Sequence, residues 1–333
     1  MTYNSFQKIY DTGTQNEANS FNDDNWIVGT YLAGSQYHSF DDPCPKTASK
    51  CGPPVSADYT NSSGKSLPTY LNGSNNSNGR HIYDVGYVIF SSPPTGLTCT
   101  TCGAVYDFNA YTGTGTWDLI EDPNDSSCGV TELSGINGSD TAVGYYKVKE
   151  SGVCVEKAFE EYQYNNATVF VPFNVTGATN TTNVIATGIN NYGDVVGTAT
   201  PVSGVCAGSV TVGWYYTDFG YQTFCVNGSS NTQALSLNDN DGIVGSYTDS
   251  LGTPHGFLIL SPTSNPIPFV VKIGSVNYSS TLVNSLNTAW TMSGQYIDGQ
   301  GNSYGFLGFC DPCPKSNAPR PPRGDGASRG PRR

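Results

Sequence analysis

One phrase returns along this chain at near-constant intervals. It runs from an Asn through a turn and an apolar residue or two to a Gly seven places on. The clear copies are Asn22 to Gly29, Asn137 to Gly144, Asn190 to Gly197, Asn238 to Gly245 and Asn287 to Gly294. A fixed internal repeat constrains architecture more tightly than any single motif. Each unit can bury its apolar face only against its neighbours.

Two complete units show the grammar. One starts at Thr232 and the next at Ser280. Each divides into strand a (ALSL or LVNSL), a turn of Asn, Asp and Gly, strand b (IVGSYT or MSGQYI), a Gly-rich turn and strand c (HGFLIL or YGFLGF). PFVVKI from Pro268 supplies strand d. The unit Asn residues are 53, 48 and 49 apart from Asn137 onward, and 115 apart between Asn22 and Asn137. That double interval predicts a sixth, degenerate unit near residue 80. His81 to Phe90 is its expected strand b, with strand c from Gly103 and strand d from Thr116. The Pro-, Ser- and Asn-rich stretch 43–79 reads as a long loop between units one and two.

Six units of four strands predict an all-β fold, a β-propeller with six four-stranded blades. The ends agree with this. The last unit stops after strand c at Phe309, and SFQKIYDTG at the N-terminus reads as a spare strand d. Asn4 to Tyr10 is therefore expected beside Tyr304 to Phe309, closing the ring. One propeller domain should span 1–315, with units near Asn22, His81, Asn137, Asn190, Asn238 and Asn287. Residues 316–333 hold five of the six Arg among Pro and Gly, and are expected to be a disordered basic tail.

The repeats resemble the HAF-type extracellular repeat family, named for a His-Ala-Phe-like triplet. The triplet position holds His38-Ser39-Phe40, Lys157-Ala158-Phe159, His255-Gly256-Phe257 and Tyr304-Gly305-Phe306. Asn190 to Gly197 and Gly245 to Asp249 carry the resemblance further. It implies a secreted or surface repeat protein and assigns no chemistry.

Ten cysteines fall mostly as near neighbours. Bridges are expected for Cys44–Cys51, Cys99–Cys102, Cys206–Cys225 and Cys310–Cys313, with Cys128–Cys154 as the remaining pair. This usage fits an oxidising, extracellular or cell-surface space. Zinc would need two CxxC pairs brought together from distant parts of the chain. A redox motif would need a βαβ context, which the pattern lacks. No segment is long and apolar enough to span a bilayer. MTYNSFQKIY has no signal-peptide regions, so the location rests on the cysteines and the resemblance. A net charge of −12 argues against nucleic acid as a partner.

The sequence holds three His, two of them at one repeat position (His38 and His255). No zinc-protease, nucleophile-elbow or phosphate-loop pattern occurs. Asp239 and Asp241, in an a–b turn, are candidate Ca²⁺ ligands set against the ordinary reading of Asx turns. Trp214, Tyr215 and Tyr216 are candidate sugar-stacking residues set against strand packing. The expected function is a binding, adhesion or assembly role at the cell surface, with glycans or copies of itself as partners and no obligatory cofactor. The twin phrases Asp42 to Lys46 and Asp311 to Lys315 would serve assembly. The alternative is a carbohydrate-active enzyme, a glycosidase or lyase, on the same scaffold. A pocket with two or more carboxylates outside the repeat would favour it.

Overall fold

A computed structural model describes residues 3–314, apart from 9–15, 24–25, 35, 44–54, 77–80, 110–113, 125–127, 165–166, 176–182, 202–205, 207, 218–219, 262–263, 274, 279 and 311–312. The chain begins with β1 (Tyr3–Lys8). Blade one is β2 (Asn16–Phe21), β3 (Trp26–Ala33), β4 (Gln36–Pro43) and β5 (Val55–Ser56). Blade two is β6 (Thr69–Asn76), β7 (His81–Ile89), β8 (Thr101–Asn109) and β9 (Thr114–Ile120). Blade three is β10 (Thr131–Ile136), β11 (Ala142–Glu150), β12 (Val153–Tyr164) and β13 (Ala167–Pro172). Blade four is β14 (Ile185–Ile189), β15 (Val195–Ala199), β16 (Val212–Thr217) and β17 (Gly220–Phe224). Blade five is β18 (Asn231–Leu237), β19 (Ile243–Thr248), β20 (Pro254–Ile259) and β21 (Ile267–Phe269). A small hairpin, β22 (Val271–Ile273) and β23 (Val276–Tyr278), leads to blade six. That blade is β24 (Thr281–Leu286), β25 (Met292–Ile297) and β26 (Ser303–Cys310), with β1 in the outer position. β1 pairs antiparallel from Tyr3 opposite Cys310 to Lys8 opposite Phe306. Ile9 and Tyr10 lie outside the described residues.

The molecule is a six-bladed β-propeller, and its repeat phrase has a physical reason at both ends. The Gly that closes the phrase sits on strand b where backbones crowd. A Cβ at Gly29, Gly197, Gly245 or Gly294 would run into a strand-a carbonyl, and an aromatic ring from strand c lies over the same spot. Those rings are Phe40, Trp214, Phe257 and Phe306. The Asn that opens the phrase works twice. Its Oδ1 closes the turn: Asn190 accepts from Tyr192 N at 3.0 Å and Asp194 N at 2.9 Å. Its Nδ2 crosses to the next blade. Asn137 donates to Asn190 O (3.0 Å), Asn190 to Asn238 O (3.3 Å), Asn238 to Asn287 O (3.0 Å) and Asn287 to Asn22 O (3.3 Å). The last of these bonds joins blade six to blade one. In blade two the acceptor is the Ser74 hydroxyl, which takes the bond from Asn22 Nδ2 at 3.2 Å.

Each innermost strand also carries a bulge, as between Ala18 and Ser20 or between Val283 and Ser285. A bulge turns one side chain out of register. Here it aims that side chain at the neighbouring blade: Asn19 donates to Leu71 O at 2.8 Å, and Asn284 to Ala18 O at 3.1 Å. Among the described residues the buried apolar side chains form seven clusters, six between neighbouring blades and one within blade two. Trp214 with Phe173 fills one, and Trp290 with Phe306 fills another.

Two sequence expectations need correction. Stretch 43–79 is not one loop, because β5 and β6 lie within it. β6 (TYLNGSNN) lacks apolar alternation because it borders the polar axis, and so it read as coil. PFVVKI is not one strand either. Pairing in blade five ends at Phe269, and Val271–Ile273 turns into its own hairpin. Disulfides join Cys99–Cys102, Cys128–Cys154, Cys206–Cys225 and Cys310–Cys313, as the spacing suggested. The proposed Cys44–Cys51 bridge and the tail 316–333 lie outside the described residues, as do the twin phrases in most of their length.

Candidate functional site

The innermost strands surround an axial cavity of about 400 Å³. Its wall is mostly polar, with Asn19, Asn72, Ser134, Thr187 and Asn284 among its lining residues. At Gly73, Gly135 and Gly188 the strands come so close that a Cβ would lie 3.0–3.1 Å from the Cα of the next blade. The rim holds Asp23 and Asp239, and both serve blade-to-blade contacts. Asp239 accepts from Asn191 N at 2.9 Å and Asn191 Nδ2 at 2.8 Å. Asp23 accepts from Thr288 N at 2.9 Å. Asp241 is the left-handed corner of its turn, at φ 63°. Among the described residues no group of three or more His, Cys, Asp or Glu gathers as a metal set.

The expected sugar platform does not lie on the surface. Trp214 is fully buried and donates Nε1–H to Thr198 O at 3.0 Å, while Tyr215 is buried against Gln222. Tyr216 packs on Tyr221 with centroids 4.5 Å apart. Strand c of blade four is a core strand, so its aromatics belong to packing. The repeat-position histidines also act locally. His38 meets Asp58 at 2.6 Å and stacks on Tyr31; His255 meets Asp249 at 2.9 Å and stacks on Tyr247.

A different set stands out where strands a and b of blades one to three meet. Glu17, Tyr70 and Glu132 occupy equivalent positions on β2, β6 and β10. Each supplies the carbonyl that crowds its blade's repeat Gly. Blades four to six place Ile185, Gln233 and Leu282 there. The cross-strand partners of Tyr70 and Glu132 are Tyr87 and Tyr145. Tyr70 and Tyr87 stack at 4.8 Å and 15°, and Tyr37 lies 6.4 Å from Tyr70. Tyr37 is 40% exposed, so one edge of this aromatic group is open to solvent.

Burial raises Glu17 above the ordinary carboxylate value. It raises Glu132 too; a hydrogen bond from Tyr145 and the charge of Lys147 offset part of the effect. Burial, then the charge of Glu132, pushes the Tyr87 and Tyr145 phenols well up. Lys147 is engaged by Glu156 at 3.3 Å. The group therefore offers stacked rings, phenol donors and carboxylates that give up protons reluctantly. It was missed in the sequence because the repeat had been read for its matches. The signal lay in its mismatches, in Glu and Tyr standing where the later units carry Ile, Gln and Leu.

The molecule is thus a disulfide-bonded propeller with an acidic, tyrosine-rich face on one half of its ring. No family model and no curated protein matches the sequence. Solved structures are similar to it in fold. The β-propeller domain of the Trilobed protease from Pyrococcus furiosus aligns at 7% identity with a TM-score of 0.48, covering 90% of this chain and 94% of that one. The acylaminoacyl peptidase of Pyrococcus horikoshii aligns at 8% with a TM-score of 0.48, covering 88% and 51%. A Trypanosoma rangeli sialidase in complex with sialic acid aligns at 9% with a TM-score of 0.43, covering 93% and 57%. The chain spans little over half the length of the latter two. These likenesses concern fold and assign no activity.

Proposed function

We propose that this is an extracellular or cell-surface propeller that binds neutral carbohydrate on the face formed by Tyr37, Tyr70 and Tyr87. The observation that carries the reading is the stacked tyrosine group with an open edge, flanked by Glu17 and Glu132. Aromatic faces cover the apolar side of a sugar ring, and carboxylates and phenols bond its hydroxyls. Lys147 is paired with Glu156, so an acidic sugar would find no ready counter-charge there. The disulfides support an oxidising location, in line with the resemblance to HAF-type repeats. Titration calorimetry with a panel of neutral oligosaccharides tests the reading. Binding by the native protein, weakened about tenfold or more by Tyr37→Ala and by Tyr70→Ala, is expected. No heat with any neutral glycan, or binding indifferent to both substitutions, would overturn it and leave self-assembly as the role to test.

One observation favours the enzymatic alternative. Burial raises Glu17 and Glu132 above the ordinary carboxylate value, the direction a general acid for glycosidic cleavage requires. Hydrolysis of aryl glycosides by the native protein but not by Glu132→Gln would establish it.

A further inference from the structure

Asp84 is a residue the repeat does not ask for. It precedes Val85-Gly86 on β7, where the other blades carry Ile27, Ala142, Val195, Ile243 and Met292. Those five side chains are core, and Asp84 is as deeply placed, at 0% exposure. Neither of its carboxylate oxygens has a hydrogen-bond partner. Burial raises the Asp84 carboxyl, and the Ser74 hydroxyl opposite it on β6 offsets part of that; the Ser74 oxygen also accepts from Asn22 Nδ2 at 3.2 Å. No ion pair reaches Asp84 among the described residues.

A second carboxylate faces the same seam from the neighbouring blade. Asp41 on β4 is the cross-strand partner of Val28, which packs on Leu71, Tyr106 and Trp117 of blade two. Asp41 is 5% exposed. Tyr106 is the cross-strand partner of Asp84, and its phenol is raised by burial and then by the charges of Asp41 and Asp84. Both carboxylates therefore bear on one ring in the seam between blades one and two. A buried carboxylate such as that of Asp84 costs several kcal/mol unless something neutralises it. The Asp side chain is also shorter than the Ile or Met that fills the position in blades one, five and six.

We propose that a hard divalent cation of the Ca²⁺ class is held in this seam by the carboxylates of Asp84 and Asp41 with the Ser74 hydroxyl. The donors are all oxygen, which selects such a cation over zinc or copper. Two carboxylates place the site in the weak class, with dissociation constants of about 0.1–1 mM that suit extracellular modules. The position is apolar in the other five blades, so there is one such site per ring. Its role is to clamp blade two, the most degenerate unit, onto blade one. The site is separate from the tyrosine face, and the two readings stand or fall independently.

Thermal unfolding of the full-length, disulfide-intact protein tests this, first after dialysis against a chelator and then with CaCl₂ alone at about 10 mM, roughly tenfold or more above that range. Ca²⁺ should raise the native midpoint by on the order of 2 °C. Asp84→Asn and Asp84→Ile should remove that response, and Tyr37→Ala should retain it. Where an Asp84 variant fails to fold, Asp41→Asn takes its place. Terbium emission sensitised by Tyr106 and Trp117, displaced by Ca²⁺ and lost in Asp84→Asn, is the second expected readout. An unmoved native midpoint, or an equal rise in Asp84→Asn, would overturn the proposal. So would Asp84→Ile being the more stable protein in Ca²⁺, since the buried acid would then be neutral and purely a cost.

Discussion

Blades one to three and blades four to six share one backbone plan and differ in what they place on it. Before the repeat Val-Gly of strand b, the second half puts Val195, Ile243 and, in blade six, Met292 before Ser-Gly; the first half puts Ile27, Asp84 and Ala142. One residue beyond the aromatic position of strand c, the second half has Tyr215, Leu258 and Leu307, and the first has Asp41, Val105 and Glu160. On strand a, Ile185, Gln233 and Leu282 stand against Glu17, Tyr70 and Glu132. The interface clusters follow suit. Between blades five and six, Trp290, Met292, Tyr296 and Phe306 close a large apolar cluster. Between blades one and two only Val28, Ala57 and Leu71 form the buried core. Ionisable groups in an interface lower stability unless they are paired. The second half therefore supplies cohesion, and the first half carries the residues that cohesion alone would not select.

The largest effect should come from the seam where the halves meet around the back of the ring. Deleting residues 1–8 removes β1 and leaves β26 with an open edge. The expected result is one cooperative transition lowered by on the order of 10 °C, or a protein that aggregates. Calorimetry showing two separate transitions would mean that the halves are independent units, and the comparison would have to be redrawn as two domains. A midpoint equal to the full chain's would show that β1 is dispensable.

Next come paired aromatic truncations, one in each half. Trp214→Ala empties a fully buried site that also holds a hydrogen bond, and should cost about 3–5 kcal/mol in chemical denaturation. Tyr37→Ala touches an exposed ring and should cost about 0.5 kcal/mol or less, with its effect confined to binding. Equal costs would erase the division of labour between the halves.

The division also explains what the sequence could show. The blade count, the strand grammar and four bridges were legible, because turn chemistry and alternation are local signals and the second half obeys them closely. Strand a of blade two was not legible. TYLNGSNN lines the axis, where polar residues satisfy inter-blade bonds and no apolar period is imposed. The Asn was read as a turn residue, which is half its role. Its Nδ2 bond reaches 48 to 53 residues along the chain, a distance no window reveals. The aromatic run Trp214 to Tyr216 was misplaced for the opposite reason. Composition cannot say which face of a strand is outward when neighbouring blades cover both.

The smallest effect sharpens the comparison most, because it asks whether position alone creates the chemistry. Burial holds Glu132 above its ordinary value of 4.5, net of the help from Tyr145 and Lys147. Below that value the side chain is protonated in both folded and unfolded chains, and its contribution to stability is fully present. As pH rises past 4.5 the unfolded chain releases the proton first, so stability falls until the folded group also ionises. Glu132→Gln cannot titrate. Its midpoint relative to native should therefore be lowest near pH 4, where it loses only hydrogen-bond quality, and should climb by on the order of 1–2 °C toward pH 7. The reciprocal change, Gln233→Glu on β18, places a carboxylate at the equivalent site of blade five, where Ser246, which donates to the Gln233 oxygen at 3.3 Å, stands in place of Tyr145. It should acquire the same falling slope. Parallel pH profiles for native, Glu132→Gln and Gln233→Glu would mean that strand a is wet in both halves, and the acidic face would lose its claim to be chemically distinct.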